Sequence, residues 1–419
     1  MSKRGSRLVP SGSFVLGLVA ALLIALGSPA VAYADAARDA QWQLGFLRVG
    51  EAWEHSTGRG EVVAVIDSGV DATHPDLRER VLPGHDFVDG STDGRQDPVG
   101  HGTGVASLIA GEADSRGVAG IAPEAKILPI RVLDQRNEYD SAAQIASAVR
   151  WATDHGADVI NLSLGSAQGA AVLNDALAYA AGHDVVVVAC TGNISNRRGS
   201  RVWHPAREPG VIAVAGMTKQ GEFWKGSLTG AETVMSAPAT EIIAAHPGGD
   251  YQTMQGTSFA APLVAASAAL VRAAHPELGA ASVVQRLISA AWDYGAPGRD
   301  DKFGYGIVNP TRAITARVGA VATNPLGNGA GAQQAAEDSS AVSGASPQRP
   351  GKPGPIPRAQ PAQPEPISTL RLLVLVSVVV AVLTALCCLA VVLRRSRVNR
   401  HRRARAQAAS RSSGYLPEP

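Results

Sequence analysis

Between about residues 40 and 318 the chain alternates two kinds of segment. Short, mostly apolar runs, among them Val62–Ile66, Ile127–Val132, Val159–Leu164, Val185–Ala189 and Val211–Val214, have the length and β-branched content of parallel strands buried on both faces. Between them lie longer stretches with helical spacing, such as Ser141–His155, where Ile145, Val149 and Ala152 recur, and Ala171–His183. This alternation predicts an α/β fold, an open and mostly parallel sheet with helices on both faces. In such folds chemistry gathers beyond the carboxyl ends of the strands.

Two further apolar runs lie outside that pattern. The first, Phe14 to Leu26, follows a short basic stretch and precedes Ala-x-Ala sites at Ala30–Ala32 and Ala32–Ala34, which predicts a secretory signal peptide over residues 1–34. The second, Leu372 to Leu393, is 22 residues without a charge, long enough at about 1.5 Å per residue to span a hydrocarbon core of roughly 30 Å. It predicts one C-terminal transmembrane helix over residues 371–393. Before it, residues 319–370 read as a disordered linker, with eight prolines between Pro347 and Pro366 and no aromatic side chain.

Charge gives this layout a direction. The 419 residues carry 38 Lys and Arg against 36 Asp and Glu, a net +2 that argues neither for nucleic acid nor for a membrane. By segment the sum separates into +3 over residues 1–34, −9 over 35–318, +1 over 319–371 and +7 over 372–419. The Arg cluster from Arg394 to Arg405 marks residues 394–419 as a cytoplasmic tail, so residues 35–318 form an extracellular domain on a single-pass cell-membrane anchor. Beside a membrane span, a basic tail reads as topology and lipid contact, and no nucleic-acid partner is expected.

Three motifs in the 35–318 domain carry chemistry. The strand Val62–Ile66 ends at Asp67-Ser68-Gly69-Val70, and an acid at the end of a buried strand must be hydrogen-bonded or do work. Gly100-His101-Gly102-Thr103-Gly104-Val105-Ala106 places one imidazole among glycines at the start of an Ala-rich helix. Gly256-Thr257-Ser258-Phe259-Ala260-Ala261-Pro262 places a hydroxyl at the start of an apolar helix reaching about Ala274. Taken singly, Ser258 is an N-cap and His101 a structural histidine. Together they are a nucleophile, its base and the orienter of the base.

In that order and at those separations the motifs resemble the subtilisin-like serine peptidases over about 280 residues. The resemblance implies a serine-type endopeptidase acting on polypeptides, with Asp67, His101 and Ser258 as its catalytic triad and no required cofactor. It also implies Asn193, after Cys190-Thr191-Gly192, as an oxyanion donor, and Ser163, Leu164 and Gly165 as the backbone that pairs with extended substrate and borders the primary pocket. Calcium is a further expectation from the family, at the loop Asp86–Asp97 with Asp86, Asp89, Asp93 and Asp97, although no EF-hand pattern is present; no other metal site is expected.

Within the family, the export signal, Pro-rich stalk, single span and Arg-rich tail look like the mycosins, membrane-anchored proteases of type VII secretion systems. Ala40-Gln41-Trp42-Gln43-Leu44 resembles the start of the family's mature domain, so no inhibitory pro-domain is expected before it. Mycosins often carry extra ectodomain cysteines, whereas Cys190 stands alone here; Cys190 reads as buried packing, and Cys387 and Cys388 as filler within the span. The function expected is processing of proteins exported by a type VII system, with that system's components as partners. The alternative is a structural stabiliser of the membrane secretion complex.

Overall fold

The computed structural model describes residues 36–114, 116–194 and 201–327. The expected signal peptide, transmembrane helix and basic tail, and the linker beyond residue 327, lie outside the described residues.

Seven strands form one parallel sheet: β1 (Val62–Asp67), β2 (His85–Asp86), β3 (Lys126–Arg131), β4 (Val159–Leu162), β5 (Val186–Cys190), β6 (Ile212–Met217) and β7 (Met235–Pro238), in the order β2-β3-β1-β4-β5-β6-β7. All residues of β4, β5 and β6 are buried, as continuous apolar strands covered on both faces must be. The order grows outward in both directions from the boundary between β1 and β4, which makes the carboxyl ends of these two strands the switch point where a site is expected.

Helices α1 (Trp42–Phe46) and α2 (Val49–Trp53) precede the sheet. Helix α3 (His101–Ala110) packs with α6 (Thr257–Ala274) against one face, and α4 (Ala142–Asp154) pairs with α5 (Ala171–Gly182) on the other. Helices α7 (Ala280–Ala290) and α8 (Pro310–Thr315) follow. Ser141 caps α4 by accepting the Gln144 N–H, so the predicted start is the observed one. Helix α6 has a mean hydropathy of 1.4, apolar enough for a membrane, yet every residue from Thr257 to Val271 is buried beneath the sheet.

The five predicted strands are present. The edge strands β2 and β7 and the antiparallel hairpin β8 (Ile242–His246) and β9 (Asp250–Met254) are additional. The hairpin turns at Pro247-Gly248-Gly249, where both glycines have positive φ.

The end of the described chain is held by a buried cation. The Arg286 guanidinium, from α7, donates to the carbonyls of Ala313 at 3.0 Å, Ile314 at 2.8 Å, Ala316 at 3.0 Å and Val318 at 3.4 Å, and lies 2.8 Å from His275 Nε2. Beyond it Val321 exchanges hydrogen bonds with Ser282, and Leu326 accepts the Gly210 N–H, so residues counted with the linker in sequence remain attached to the body.

Candidate active site

Strand β1 delivers Asp67 at its carboxyl end, fully buried. Asp67 Oδ1 accepts the Ser68 N–H at 2.7 Å and lies 2.7 Å from His101 Nδ1, while Oδ2 is buried with no hydrogen-bond partner among the described residues. Leaving a carboxylate oxygen unpaired costs stability and is tolerated where a site needs it. The approach of α3 to β1 depends on Gly102: a Cβ there would sit 2.1 Å from the Gly69 carbonyl and 3.1 Å from Asp67 Cβ.

A second carboxylate, Asp97, expected from the sequence only as a calcium-loop residue, instead fastens this junction. Asp97 is almost fully buried and accepts from Ser68 Oγ at 2.8 Å, Val99 N–H at 3.0 Å, Gly100 N–H at 2.8 Å, Thr103 N–H at 2.8 Å and Thr103 Oγ1 at 2.6 Å. It therefore caps the N-terminus of α3, where N–H groups lack helical partners, and favours a negative charge there. Ser68 Oγ accepts the Gly102 N–H at 2.9 Å, so strand end and helix start share one network. The only signal in sequence was an Asp four residues before His101.

Burial by itself pulls the His101 pKa down. The Asp67 carboxylate, through its charge and hydrogen bond, and the Asp97 charge behind it outweigh burial, and the imidazole titrates above its ordinary value. The Phe259 ring, centred 5.3 Å away, packs against it.

Ser258 enters from α6. Gly256 precedes it with φ 149°, a conformation that side chains rarely adopt, and Asn193 Oδ1 caps the helix by accepting the Thr257 N–H at 3.0 Å and Thr257 Oγ1 at 3.1 Å. Pro262 has no N–H to give the Ser258 carbonyl, and Ser163 Oγ donates to that carbonyl instead, at 2.7 Å. Ser163 thus turns its side chain toward the Ser258 backbone, Leu164 is buried in the core, and Gly165 lies against the His204 carbonyl. Ser258 Oγ is 3.9 Å from Cys190 Sγ, and among the described residues no hydrogen bond joins it to His101. The Cys190 thiol, buried and pushed up to about 11 by that burial, stays protonated and unreactive at neutral pH.

The acidic loop does not fit calcium. A guanidinium stands among its carboxylates: Arg131, buried, is 2.8 Å from Asp86 Oδ2 and 3.5 Å from Asp89. Asp93 pairs with Arg95 and Asp97 caps α3, and no group of three metal-ligating side chains occurs among the described residues.

Comparison with known proteins agrees with this arrangement. Residues 58–306 match the subtilase family. The chain is 37% identical over 273 residues to a thermostable alkaline protease of Halalkalibacterium halodurans, covering 65% of this chain and 73% of that one. Among solved structures it is similar to MycP1 from the ESX-1 type VII secretion system (TM-score 0.62, 26% identity, 68% of this chain and 88% of that one). It is also similar to the MycP3 protease from the type VII (ESX-3) secretion system (TM-score 0.58, 33% identity, 66% and 88%). A subtilisin-like sheet, with the three motifs gathered at its switch point, and a family match over more than half its length together place the chain in the subtilase family, as a serine endopeptidase.

Proposed function

We propose that Asp67, His101 and Ser258 act as a catalytic triad in an extracellular protease held to the cell membrane by a single C-terminal span, which processes polypeptides exported by a type VII secretion system. The observation that carries the catalytic reading is the 2.7 Å contact between Asp67 and His101 Nδ1 beside the α6 start that bears Ser258. Similarity to MycP1 and MycP3, whose structures are described as parts of type VII systems, supports the setting. The export signal at 1–34 and the span at 371–393 support the anchoring.

With Nδ1 protonated and donating to Asp67, Nε2 carries the lone pair. Ser258 Oγ turns from Cys190 toward Nε2, gives up its proton and attacks the peptide carbonyl. Asp67 stabilises the imidazolium without taking the proton. The negative oxygen is met by the Asn193 Nδ2 amide, whose plane Thr257 fixes through Oδ1, and by the Ser258 N–H, which in the first turn has no helical acceptor. The imidazolium then protonates the leaving amine, and a water, deprotonated by His101, releases the acyl group from Ser258. Because the Asp67 and Asp97 charges hold the His101 pKa above its ordinary value, the active neutral form accumulates later on a rising pH scale than for a free imidazole, and activity is expected to rise with pH.

Labelling with a fluorophosphonate tests this reading: the wild type is expected to react and Ser258→Ala to remain unlabelled and without peptidase activity. Unimpaired cleavage by Ser258→Ala would sink the triad. A Ser258→Ala chain that restores secretion to a deletion strain would move the main role to stabilising the secretion complex.

A further inference from the structure

The pairing of β4 with β5 ends at Leu162 and Ala189, and beyond it the two chains continue as Ser163–Gly165 and Cys190–Asn193 on either side of Ser258. Both are tied to the nucleophile's backbone, the first by Ser163 Oγ on the Ser258 carbonyl at 2.7 Å, the second by Asn193 Oδ1 on the Thr257 N–H at 3.0 Å. An acyl group on Ser258 whose oxygen faces Asn193 therefore directs its own side chain into the gap between these segments.

That gap is occupied by a third segment. Trp203 N–H donates to the Thr191 carbonyl at 2.9 Å, and Ser166 and His204 exchange two backbone hydrogen bonds at 3.0 and 2.8 Å. The Trp203 indole lies flat on Gly192: a Cβ on Gly192 would be 2.3 Å from Cδ2 and 2.7 Å from Cγ and Cε3 of the ring. Across the gap, a Cβ on Gly165 would be 3.2 Å from Trp203 Cβ. Both walls are glycine where they meet Trp203, which is itself half-buried. Its bulk takes the space a large side chain would need.

We propose that Trp203 is the specificity-determining residue of this site, and that it restricts cleavage to polypeptides with a small residue, glycine, alanine or serine, on the acyl side of the scissile bond. The inference rests on the roles proposed for Ser258 and Asn193. A rigid aromatic ring filling a pocket discriminates by exclusion, and each methylene refused is worth about tenfold or more in kcat/KM.

The test compares succinyl-tetrapeptide anilides ending in Ala or Phe on the purified full-length protein. Wild type is expected to prefer Ala by at least about tenfold. Trp203→Gly, shown by its melting curve to be folded, is expected to reverse the preference, and Trp203→Leu to fall between. Equal cleavage of both peptides by wild type, or an unchanged ratio in folded Trp203→Gly or Trp203→Leu, would overturn the proposal. The fluorophosphonate separates the two readings. A wild type that is labelled but cuts after Phe as readily as after Ala refutes the Trp203 assignment alone, whereas one that is never labelled refutes the triad and this assignment together.

Discussion

Asp97 and Arg286 are the same physical device used at two ends of the domain. Each is a buried charge satisfied largely by neutral dipoles: Asp97 receives three backbone N–H groups and two hydroxyls, and Arg286 gives to four carbonyls. Burial of a charge is tolerable only when it is saturated in this way. The surroundings set the two apart. Asp97 faces a group that titrates, since its charge reaches His101 from behind Asp67, whereas Arg286 closes the chain around residues 313–318 at a separate part of the domain. One buried charge therefore reaches a titrating imidazole as well as the helix it caps, and the other holds the chain end alone.

Substitutions can break or sharpen that contrast. The largest effect falls at the shared centre: Asp67→Asn is expected to lower kcat by about 10⁴ and to move the acid limb of the pH profile downward, because the largest charge raising the His101 pKa is gone. A pH–rate series on the variant checks both. Asn193→Ala should lower turnover by about 10²–10³, the loss this donor carries in subtilisin, with KM little changed. Asp97→Asn is the critical case. It keeps shape and part of the hydrogen bonding, so the expected result is a loss of about tenfold in kcat with the acid limb moved to lower pH, His101 now having only Asp67 to hold its proton. The neighbouring side chains on this side, His246 of β8, which packs on Gly100, and Asp71, whose backbone N–H donates to Thr103 Oγ1, are untouched by the substitution. If Asp97→Asn lowers stability but leaves the pH profile where it was, Asp97 is a scaffold like Arg286 and the contrast fails. Arg286→Met should do the reverse, costing about 2–4 kcal/mol of stability and roughly 5–10 °C in Tm, with kcat and pH profile held. Thermal melts beside the pH profiles read both.

Much of this was legible in sequence because periodicity and backbone chemistry speak locally. Val62–Ile66 could be little other than a buried strand, and Gly100–Ala106 and Gly256–Pro262 announced two helix starts with reactive side chains. What stayed hidden depended on partners distant in the chain. Strand β2 is two residues and has no period to read. Asp97 looked like one of four loop carboxylates suited to a cation; only the fold shows that Arg131 already neutralises Asp86 and Asp89, and that Asp97 turns inward. Ser163 was read for its backbone, whereas its hydroxyl replaces the donor that Pro262 lacks, a relation across 95 residues. Trp203 carried no motif at all, and its place emerges only from the two glycines it rests on.

The burial of α6 bears on how such a chain is made. On the proposed export route the polypeptide passes a translocon before its sheet exists, and there Thr257–Ala274 presents 18 residues of mean hydropathy 1.4 with nothing covering them. On that route a machine that sorts segments by hydrophobicity meets α6 before it meets the proposed anchor, and must let the first through and halt the second. Thr257, Ser258, Ser267 and Arg272 make the first segment less welcome in lipid than the charge-free stretch from Leu372 to Leu393. The hydroxyl proposed to perform the chemistry also lowers the lipid affinity of its helix.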